Sequence, residues 1–172
     1  LFRSGWEDAD AEPFHAMFQD PRVMEHLGPA EDLYHVREIV ALLQRKLAET
    51  GYWFWAMESR ADGAFMGFCG IKPGPVDTPI FGKAEIGWRL AHRFWGQGFA
   101  REAAQASLDW GWANLPDPDI WAITVHGNSR SWGLMERLGM SRRHDLDFDH
   151  PNVPDGSPLK RHLTYSIERP EA

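Results

Sequence analysis

Residues 83–114 constrain the fold most, because the hydrophobic period changes inside this segment. Apolar and polar side chains alternate from 83 to 90, which predicts a strand. From 98 to 114, apolar residues recur three and four positions apart, which predicts an amphipathic helix. Gly96 and Gly98 lie between the two patterns, where a sharp turn favours residues without a Cβ atom. The segment therefore predicts a strand that turns tightly into a helix, as in α/β proteins.

The flanking sequence extends this α/β prediction over the rest of the chain. A turn at 61–63 predicts a hairpin in the first half, and three prolines make 149–160 a long loop. The other predicted helices span 7–20, 31–49 and 129–138, and the other predicted strands span 2–6, 53–58, 65–72, 120–125, 141–148 and 162–167.

Periodicity and residue type also predict which side chains are buried. The core-facing stripe of the helix at 98–114 is predicted to be Phe99, Ala103, Ala106, Trp110 and Ala113. The tryptophans predicted to pack in the core are Trp53, Trp55, Trp88, Trp110 and Trp132. For Trp6 and Trp95 the core is favoured over the lining of a pocket. The late carboxylates predicted to be solvated are Asp145, Asp147 and Asp149.

Composition excludes several classes of partner. The chain has 172 residues, and 18 Lys and Arg against 25 Asp and Glu give a net charge of −7. An acidic chain is a poor match for nucleic acid, whose binding requires basic patches. No apolar run approaches the roughly 18 residues of a membrane span, and no signal-peptide pattern is recognised, so we expect no membrane partner and a cytoplasmic location. One cysteine and no ligand-spaced histidines predict no metal site.

The glycine turn is a candidate anion site. The backbone amides of this turn converge at the predicted N-terminus of a helix, where the helix dipole favours negative charge. A phosphate or pyrophosphate is the natural ligand of such a turn. Taken alone, the pattern is equally consistent with an ordinary strand-to-helix turn, and it lacks the Gly-Lys-Ser/Thr of a Walker loop.

Two ordered motifs resemble the GNAT superfamily of N-acetyltransferases. Arg93 to Gly98 reads R-x-x-G-x-G after Ala-Glu-Ile-Gly-Trp-Arg-Leu, similar to the family's acetyl-CoA motif. Residues 128–140 begin with N-x-x-S and end in Leu-Gly-Met, similar to the family's next helix. The sequence from 150 to 165 resembles the RimJ/RimL branch, which includes acetyltransferases of ribosomal-protein N-termini. The resemblance implies one GNAT domain over 1–172, with a mixed, mostly antiparallel sheet of about seven strands and about four helices.

The resemblance also implies how acetyl-CoA is held. The amides of Trp88 and Leu90 would pair with the pantetheine arm, the loop amides would hold the pyrophosphate, and Asn128 would bond the cofactor nearby. The implied cofactor-binding residues are Trp88, Leu90, Arg93, Phe94, Trp95, Gly96, Gln97, Gly98, Phe99 and Asn128.

Glu85 and Ser131 are the expected catalytic residues. In the family, a carboxylate at the place of Glu85 serves as general base, and the alternative is a structural pair with a base such as Arg89. Many members carry a tyrosine as general acid where this chain has Met135, so Ser131 is the candidate donor, with a helix cap as its alternative role. We expect His126 and His150 to contact the substrate.

Together these features predict transfer of acetyl from acetyl-CoA to a primary amine in a ternary complex. The acceptor is a protein or peptide N-terminal amine, or a small amine such as an aminoglycoside or polyamine. Met135 leaves open a second class, a CoA-binding sensor or interaction module with weak or no catalysis. We expect a monomer or homodimer.

Overall fold

The computed structural model describes residues 5–171 and contains five α-helices and seven strands among them. The helices are α1 (Ala11–Phe18), α2 (Pro21–Met24), α3 (Leu33–Thr50), α4 (Phe99–Asn114) and α5 (Ser129–Arg137). The strands are β1 (Phe54–Glu58), β2 (Phe65–Pro73), β3 (Ala84–Leu90), β4 (Asp119–Val125), β5 (Ser141–Arg142), β6 (Phe148–Asp149) and β7 (Arg161–Glu168).

The strands form one sheet in the order β1-β2-β3-β4-β7-β5, and β6 also pairs with β7. β3 and β4 are parallel, whereas β1–β2, β4–β7, β5–β7 and β6–β7 are antiparallel. The expected mixed, mostly antiparallel α/β fold is confirmed. Residues 2–4 of the predicted first strand lie outside the described part of the chain, and Gly5 and Trp6 are not in a strand.

The chain folds into two compact units, and β2, β3 and α4 contribute residues to both. The first unit comprises the described residues up to Gly70 together with Gly87–Ala104. The second comprises Ile71–Ile86 and the described residues from Gln105 onward. The extent of the domain as 1–172 stays a prediction.

An aromatic core holds the first unit together. Asp32 caps α3 by accepting a hydrogen bond from the His35 amide at 2.8 Å, and Gly51 ends that helix with a φ of 77°. The apolar stripe that predicted α3 faces inward. The main buried members of this core are Trp6, Phe14, Phe18, Val36, Val40, Leu43, Phe65 and Phe68.

Gly67 allows β3 to lie close to β2 in the first unit. Its φ is 131°, and a Cβ atom there would stand 2.0 Å from the Arg89 carbonyl oxygen. Only glycine fits such an approach. The backbone of Arg89 and Leu90, at the end of β3, therefore packs directly against Gly67 of β2.

β7 is the central strand of the second unit. It pairs with β4 along seven residues, from Asp119 opposite Glu168 to Val125 opposite His162. The predicted strand over 141–148 is wrong in its middle, where a 3₁₀ turn spans His144–Leu146. Asp147 causes this interruption, because its carboxylate accepts a hydrogen bond from the Thr164 amide at 3.0 Å and pairs with Arg142. Asp147 is therefore not the solvated charge that was predicted.

The predicted stripe of α4 is also wrong in part. The fully buried side is made of small residues together with one leucine, whereas Trp110 is half-buried and Ala113 is exposed. The prediction gave most weight to the large aromatic residues of the sequence, whereas the helix packs most closely through its small residues. The buried positions are Ala103, Ala104, Ser107, Leu108 and Gly111.

The core prediction is confirmed for Trp6, and Trp53 and Trp95 are partly buried against the same core. Trp6 and Trp121 are buried, with 5% and 2% of their surface exposed. The five tryptophans predicted as core are each half-buried, as expected for a side chain whose indole N–H seeks a polar partner at the edge of a core.

Candidate active site

The loop after β3 is fixed by side chains that bond to its own backbone. The Trp95 indole Nε1 donates to the Leu90 carbonyl oxygen at 2.8 Å, and the Gln97 Nε2 donates to the Arg93 carbonyl oxygen at 2.7 Å. A 3₁₀ turn, His92–Phe94, connects the two bonds. The loop is thus held in shape by contacts within the first unit.

The same loop presents a row of free amide donors. Gly96 and Gly98 have φ values of 73° and 87°, and nothing lies within 4 Å of a Cβ atom built on either. Within residues 5–171, the amides from Gly96 to Arg101 donate to no other group, and the first helical bond runs from Glu102 to the Gly98 carbonyl. These donors lie at the positive end of α4, so the residues present fit a phosphate group.

Arg93 brings a cation to this loop. Its guanidinium lies 4.7 Å from the centre of the Phe94 ring and donates to the Phe65 carbonyl oxygen at 3.4 Å. The Phe94 and Phe99 rings meet edge to face at 6.1 Å. Four of the predicted cofactor-binding residues therefore contact one another. The pairs are Arg93 with Phe94, Phe94 with Phe99, and Gln97 with Arg93.

β3 supplies the predicted backbone contacts of the pantetheine arm. Its pairing with β4 is confined to Glu85 opposite Trp121 in the described structure. Leu90 is buried and its carbonyl oxygen is engaged by Trp95, whereas Trp88 is half-buried. Pantetheine binding by the amides of Trp88 and Leu90 stays a prediction.

Glu85 is a buried carboxylate in the second unit. Only 7% of its surface is exposed, and Lys72 at the end of β2 donates a hydrogen bond to its Oε2. Burial raises the pKa of the Glu85 carboxyl above its usual range, and the neighbouring Lys72 ammonium opposes that rise. The base paired with Glu85 is Lys72 and not Arg89, so the alternative of a structural ion pair stays open beside the role of general base.

Asn128 begins α5. Its side-chain Oδ1 accepts a hydrogen bond from the Ser131 amide at 3.3 Å, and its carbonyl oxygen accepts from Ser131 and Trp132 at 3.0 and 3.2 Å. The cap is therefore Asn128, and the alternative of Ser131 as the cap is wrong. The half-buried Ser131 hydroxyl donates to no other group in the described part of the chain.

Met135 and the two candidate histidines occupy different surroundings in the second unit. Met135 is buried, with 2% of its surface exposed. His126 is exposed at the end of β4, and its carbonyl oxygen accepts a hydrogen bond from the Trp132 indole at 3.1 Å. His150 packs against His162 at 4.9 Å between ring centres, and Phe148 completes the cluster.

Burial lowers the pKa of both clustered histidines. For His150, the charge of Lys160 adds to the effect. For His162, a hydrogen bond with the Lys160 carbonyl opposes the effect of burial, and the charge of His150 reinforces it. Both imidazoles are therefore favoured in their neutral form.

Sequence reasoning missed Lys72 and the environment of Arg89. The partner of Glu85 depends on the register between neighbouring strands, for which a single sequence carries no local signal. Arg89 was considered only as a partner for Glu85, whereas its guanidinium lies over the Phe18 and Phe68 rings of the first unit.

Residues 5–171 contain neither a grouped set of metal ligands nor a membrane-spanning helix. No three His, Cys, Asp or Glu side chains are grouped so that they could hold a metal ion. None of the described helices has the length and apolar character needed to cross a membrane.

A sequence profile described as the acetyltransferase (GNAT) domain matches residues 2–141, which is most of the chain. The chain belongs to the GNAT acetyltransferase family. Among curated relatives of this GNAT protein, YkkB of Bacillus subtilis is 36% identical over 135 residues, 78% of this chain and 77% of YkkB. The N-acetyltransferase p20 of Bacillus licheniformis is 26% identical over 135 residues, 77% of this chain and 74% of p20.

Solved structures share the fold. A GNAT acetyltransferase from Bacillus anthracis superposes with a TM-score of 0.78 at 24% identity, covering 98% of this chain and 94% of the other. Spermidine N-acetyltransferase from Vibrio cholerae, in complex with CoA and spermine, gives 0.73 at 16% identity, covering 98% and 95%. Ribosomal-protein-alanine N-acetyltransferase from Brucella melitensis gives 0.73 at 16% identity, covering 98% and 99%. The GNAT protein described here is an N-acetyltransferase.

Proposed function

We propose that this GNAT protein, acting as one domain over residues 1–172, transfers an acetyl group from acetyl-CoA to a primary amine by direct attack in a ternary complex. The observation that carries the proposal is Glu85, a buried carboxylate with a raised pKa on the strand that leads into a loop of free amides. A carboxylate of this kind is suited to accept a proton near neutral pH. We place the protein in the cytoplasm, as a monomer or homodimer.

Acetyl-CoA would be held by the loop and by β3. The free amides from Gly96 to Phe99 would bind its pyrophosphate, with Arg93 as a nearby cation, and the amides of Trp88 and Leu90 would pair with the pantetheine arm. The predicted contribution of the Phe94 and Trp95 amides is wrong, because they donate to the Ala91 and His92 carbonyl oxygens at 3.0 Å each. Asn128 would bond the donor near its reactive end. When bound, acetyl-CoA supplies an activated thioester whose thiol is the leaving group. No metal has a part in this proposal.

The acceptor must lose a proton to react, and Glu85 is the group that takes it. Burial makes Glu85 a stronger base than an exposed carboxylate, while Lys72 keeps part of its population ionised. Lys72 therefore acts as a positioning residue for the base. His126 and His150 are proposed to contact the substrate.

The proposed proton donor to the leaving thiolate is the Ser131 hydroxyl. A hydroxyl can donate, whereas the thioether of Met135 cannot. The Ser131 side chain is half-buried and makes no hydrogen bond among the described residues, so it is available for this role.

The pKa of the acceptor amine distinguishes the possible classes of acceptor. An α-amine has a pKa of about 7.7–8.0, against about 10.4 for a lysine amine, so it needs less help from a base. We favour a protein or peptide N-terminal α-amine, in line with the RimJ/RimL resemblance and with the ribosomal-protein acetyltransferase that shares the fold. Small amines are the alternative, and the spermidine N-acetyltransferase that shares the fold is one such enzyme.

The buried Met135 favours one further candidate, a CoA-binding module with weak or no catalysis. An amine panel separates the candidates: peptide N-termini, a polyamine, an aminoglycoside and amino acids, each followed by release of free thiol from acetyl-CoA. We expect thiol release that depends on at least one amine. Tight binding of acetyl-CoA with no amine-dependent release would contradict the proposed enzyme and support the module.

A further inference from the structure

Arg89 is a charged side chain that forms no ion pair with any residue of the described range 5–171. It is half-buried on β3, and its guanidinium lies 5.0 Å from the centre of the Phe18 ring and 5.6 Å from that of Phe68. Its Nε atom is fully buried and donates to no atom of the described chain. Buried arginines are otherwise almost always paired, so a lone one requires an explanation.

Asp20, a described carboxylate of the first unit, is not the partner of Arg89. Asp20 follows Phe18 by two residues, but its carboxylate is engaged by Arg22. Asp20 Oδ1 accepts from the Arg22 amide at 3.0 Å and from Arg22 Nε at 2.8 Å, and Oδ2 accepts from the Arg22 terminal nitrogen at 2.7 Å. This engagement holds the pKa of Asp20 at about 2, so Asp20 stays bound to Arg22.

The aromatic rings explain how an unpaired cation is tolerated. A guanidinium over a ring face is attracted by the ring quadrupole, by about 0.5–2 kcal/mol. Burial still lowers the pKa of Arg89, to about 10, so the side chain remains protonated at neutral pH. The guanidinium carbon lies over both rings, and the Nε N–H has no acceptor among the described residues, so this donor is left for a ligand.

Arg89 stands on the strand that carries the proposed base. Glu85 precedes it by four residues in β3, and alternation directs side chains an even number of residues apart to the same face of a strand. A guanidinium matches a carboxylate or a phosphate through two parallel hydrogen bonds.

We propose that Arg89 binds an anionic oxygen group of the amine acceptor, either a carboxylate or a phosphate. This proposal rests on the proposed function and narrows its substrate class. The acceptor is then an amine that also carries an acid, such as an amino acid, a peptide with an acidic group near its N-terminus, or an aminoalkyl phosphate. The net charge of −7, taken over the whole chain, does not describe this local site.

Matched acceptor pairs test the proposal and distinguish the two acids. Phenylalanine is compared with phenethylamine, and phosphoethanolamine with ethanolamine, by kcat/KM for thiol release. In the wild type we expect the acid-bearing member of one pair to be preferred by on the order of tenfold to a hundredfold, as for hydrogen bonds to charged groups. Arg89→Gln should bring that ratio close to one, and Arg89→Lys should keep part of it.

The controls separate the two levels of the proposal. Arg37→Gln changes an exposed arginine of α3 and should leave the ratio unchanged. A thermal shift with acetyl-CoA in every variant confirms that the fold and the donor site are intact. An equal ratio in the wild type and Arg89→Gln would overturn the role of Arg89.

If no amine supports turnover, the proposed function fails and Arg89 is tested by binding alone. Calorimetry in the presence of CoA should then show phenylalanine or phosphoethanolamine binding to the wild type and not to Arg89→Gln. Binding of neither, or equal binding to both proteins, would overturn the proposal.

Discussion

Lys72 donates a hydrogen bond to Glu85 where the two side chains are only 18% and 10% exposed. Burial favours the neutral form of Glu85, and the ammonium favours the charged form. The basicity of this carboxylate is therefore set by two opposing effects, and each can be changed separately by mutation.

Glu85→Gln keeps the shape of the side chain and removes its basicity. For an α-amine acceptor we expect kcat/KM to fall by on the order of tenfold, with a loss that shrinks as pH rises, because much of that amine is already neutral. For a lysine-like amine the loss should reach about 10²–10⁴. The measurement is kcat/KM against pH with one acceptor. An unchanged profile would show that Glu85 is structural.

Lys72→Met removes the effect that lowers the Glu85 pKa. The carboxyl then titrates at higher pH, so the acid limb of kcat/KM against pH should move upward. Lys46→Met, which removes a lysine of α3 that pairs with Glu49, is the matched control and should leave the limb in place. A limb that stays or moves downward in Lys72→Met would contradict the coupling.

Gly98→Val should abolish acetyl-CoA binding without unfolding the protein. A side chain at positive φ costs about 1–2 kcal/mol, and the added atoms would occupy the space in front of the loop amides. Gly82→Val is the matched control, because Gly82 has a φ of 74° and similarly open space in the β2–β3 loop.

Thermal melts of these two variants decide the outcome. At a hundredfold excess over Kd, acetyl-CoA should stabilise the wild type and Gly82→Val by about 2.7 kcal/mol, and Gly98→Val by almost nothing. An equal shift in the two variants would disprove the phosphate assignment.

Ser131→Ala tests the proton donor. We expect kcat to fall by about 10²–10⁴ with little change in KM for acetyl-CoA, since only departure of the thiolate is affected. Ser129→Ala, two residues earlier and exposed, should behave as the wild type. If Ser131→Ala retains full kcat, the thiolate leaves without this hydroxyl.

The histidine cluster predicts a loss of stability in acid. His150 and His162 have lowered pKa values, so below the ordinary value of 6.5 the unfolded chain binds more protons than the folded one. The contribution of the two neutral histidines to the free energy of unfolding is fully present above pH 6.5. It declines as the pH falls from 6.5 through the lowered pKa values of the folded state. His162→Phe should flatten this decline by at most about 1.4 kcal/mol per pH unit in urea titrations. Phe148→Leu, which removes no proton site, should lower stability without flattening it.

Local patterns were enough to predict the elements that position the site. The run from alternating strand through two glycines into a helix appears as β3, the loop and α4, and the stripe at 31–49 appears as α3. Each depends on neighbours within one turn or one strand, so the sequence contains the whole signal.

Features that depend on distant residues could not be predicted. The buried side of α4 consists mostly of small residues. Their close packing depends on the shape of the elements that contact the helix rather than on the hydrophobicity of the residues themselves. The pair of Lys72 with Glu85 and the hydrogen bond from the Thr164 amide to Asp147 cross between chain segments. Their partners follow from strand register, which a single sequence does not reveal.

The position of the end of β3 depends on Gly67 of the neighbouring strand β2. Because a Cβ atom there would meet the Arg89 carbonyl at 2.0 Å, even alanine must displace the backbone that carries Arg89 and Leu90. If the proposed roles of Arg89 and Leu90 hold, a deep mutational scan would record such a change as a defect in acceptor choice and donor binding. Gly67 is therefore required for the backbone geometry of the whole strand end rather than for any single side-chain contact.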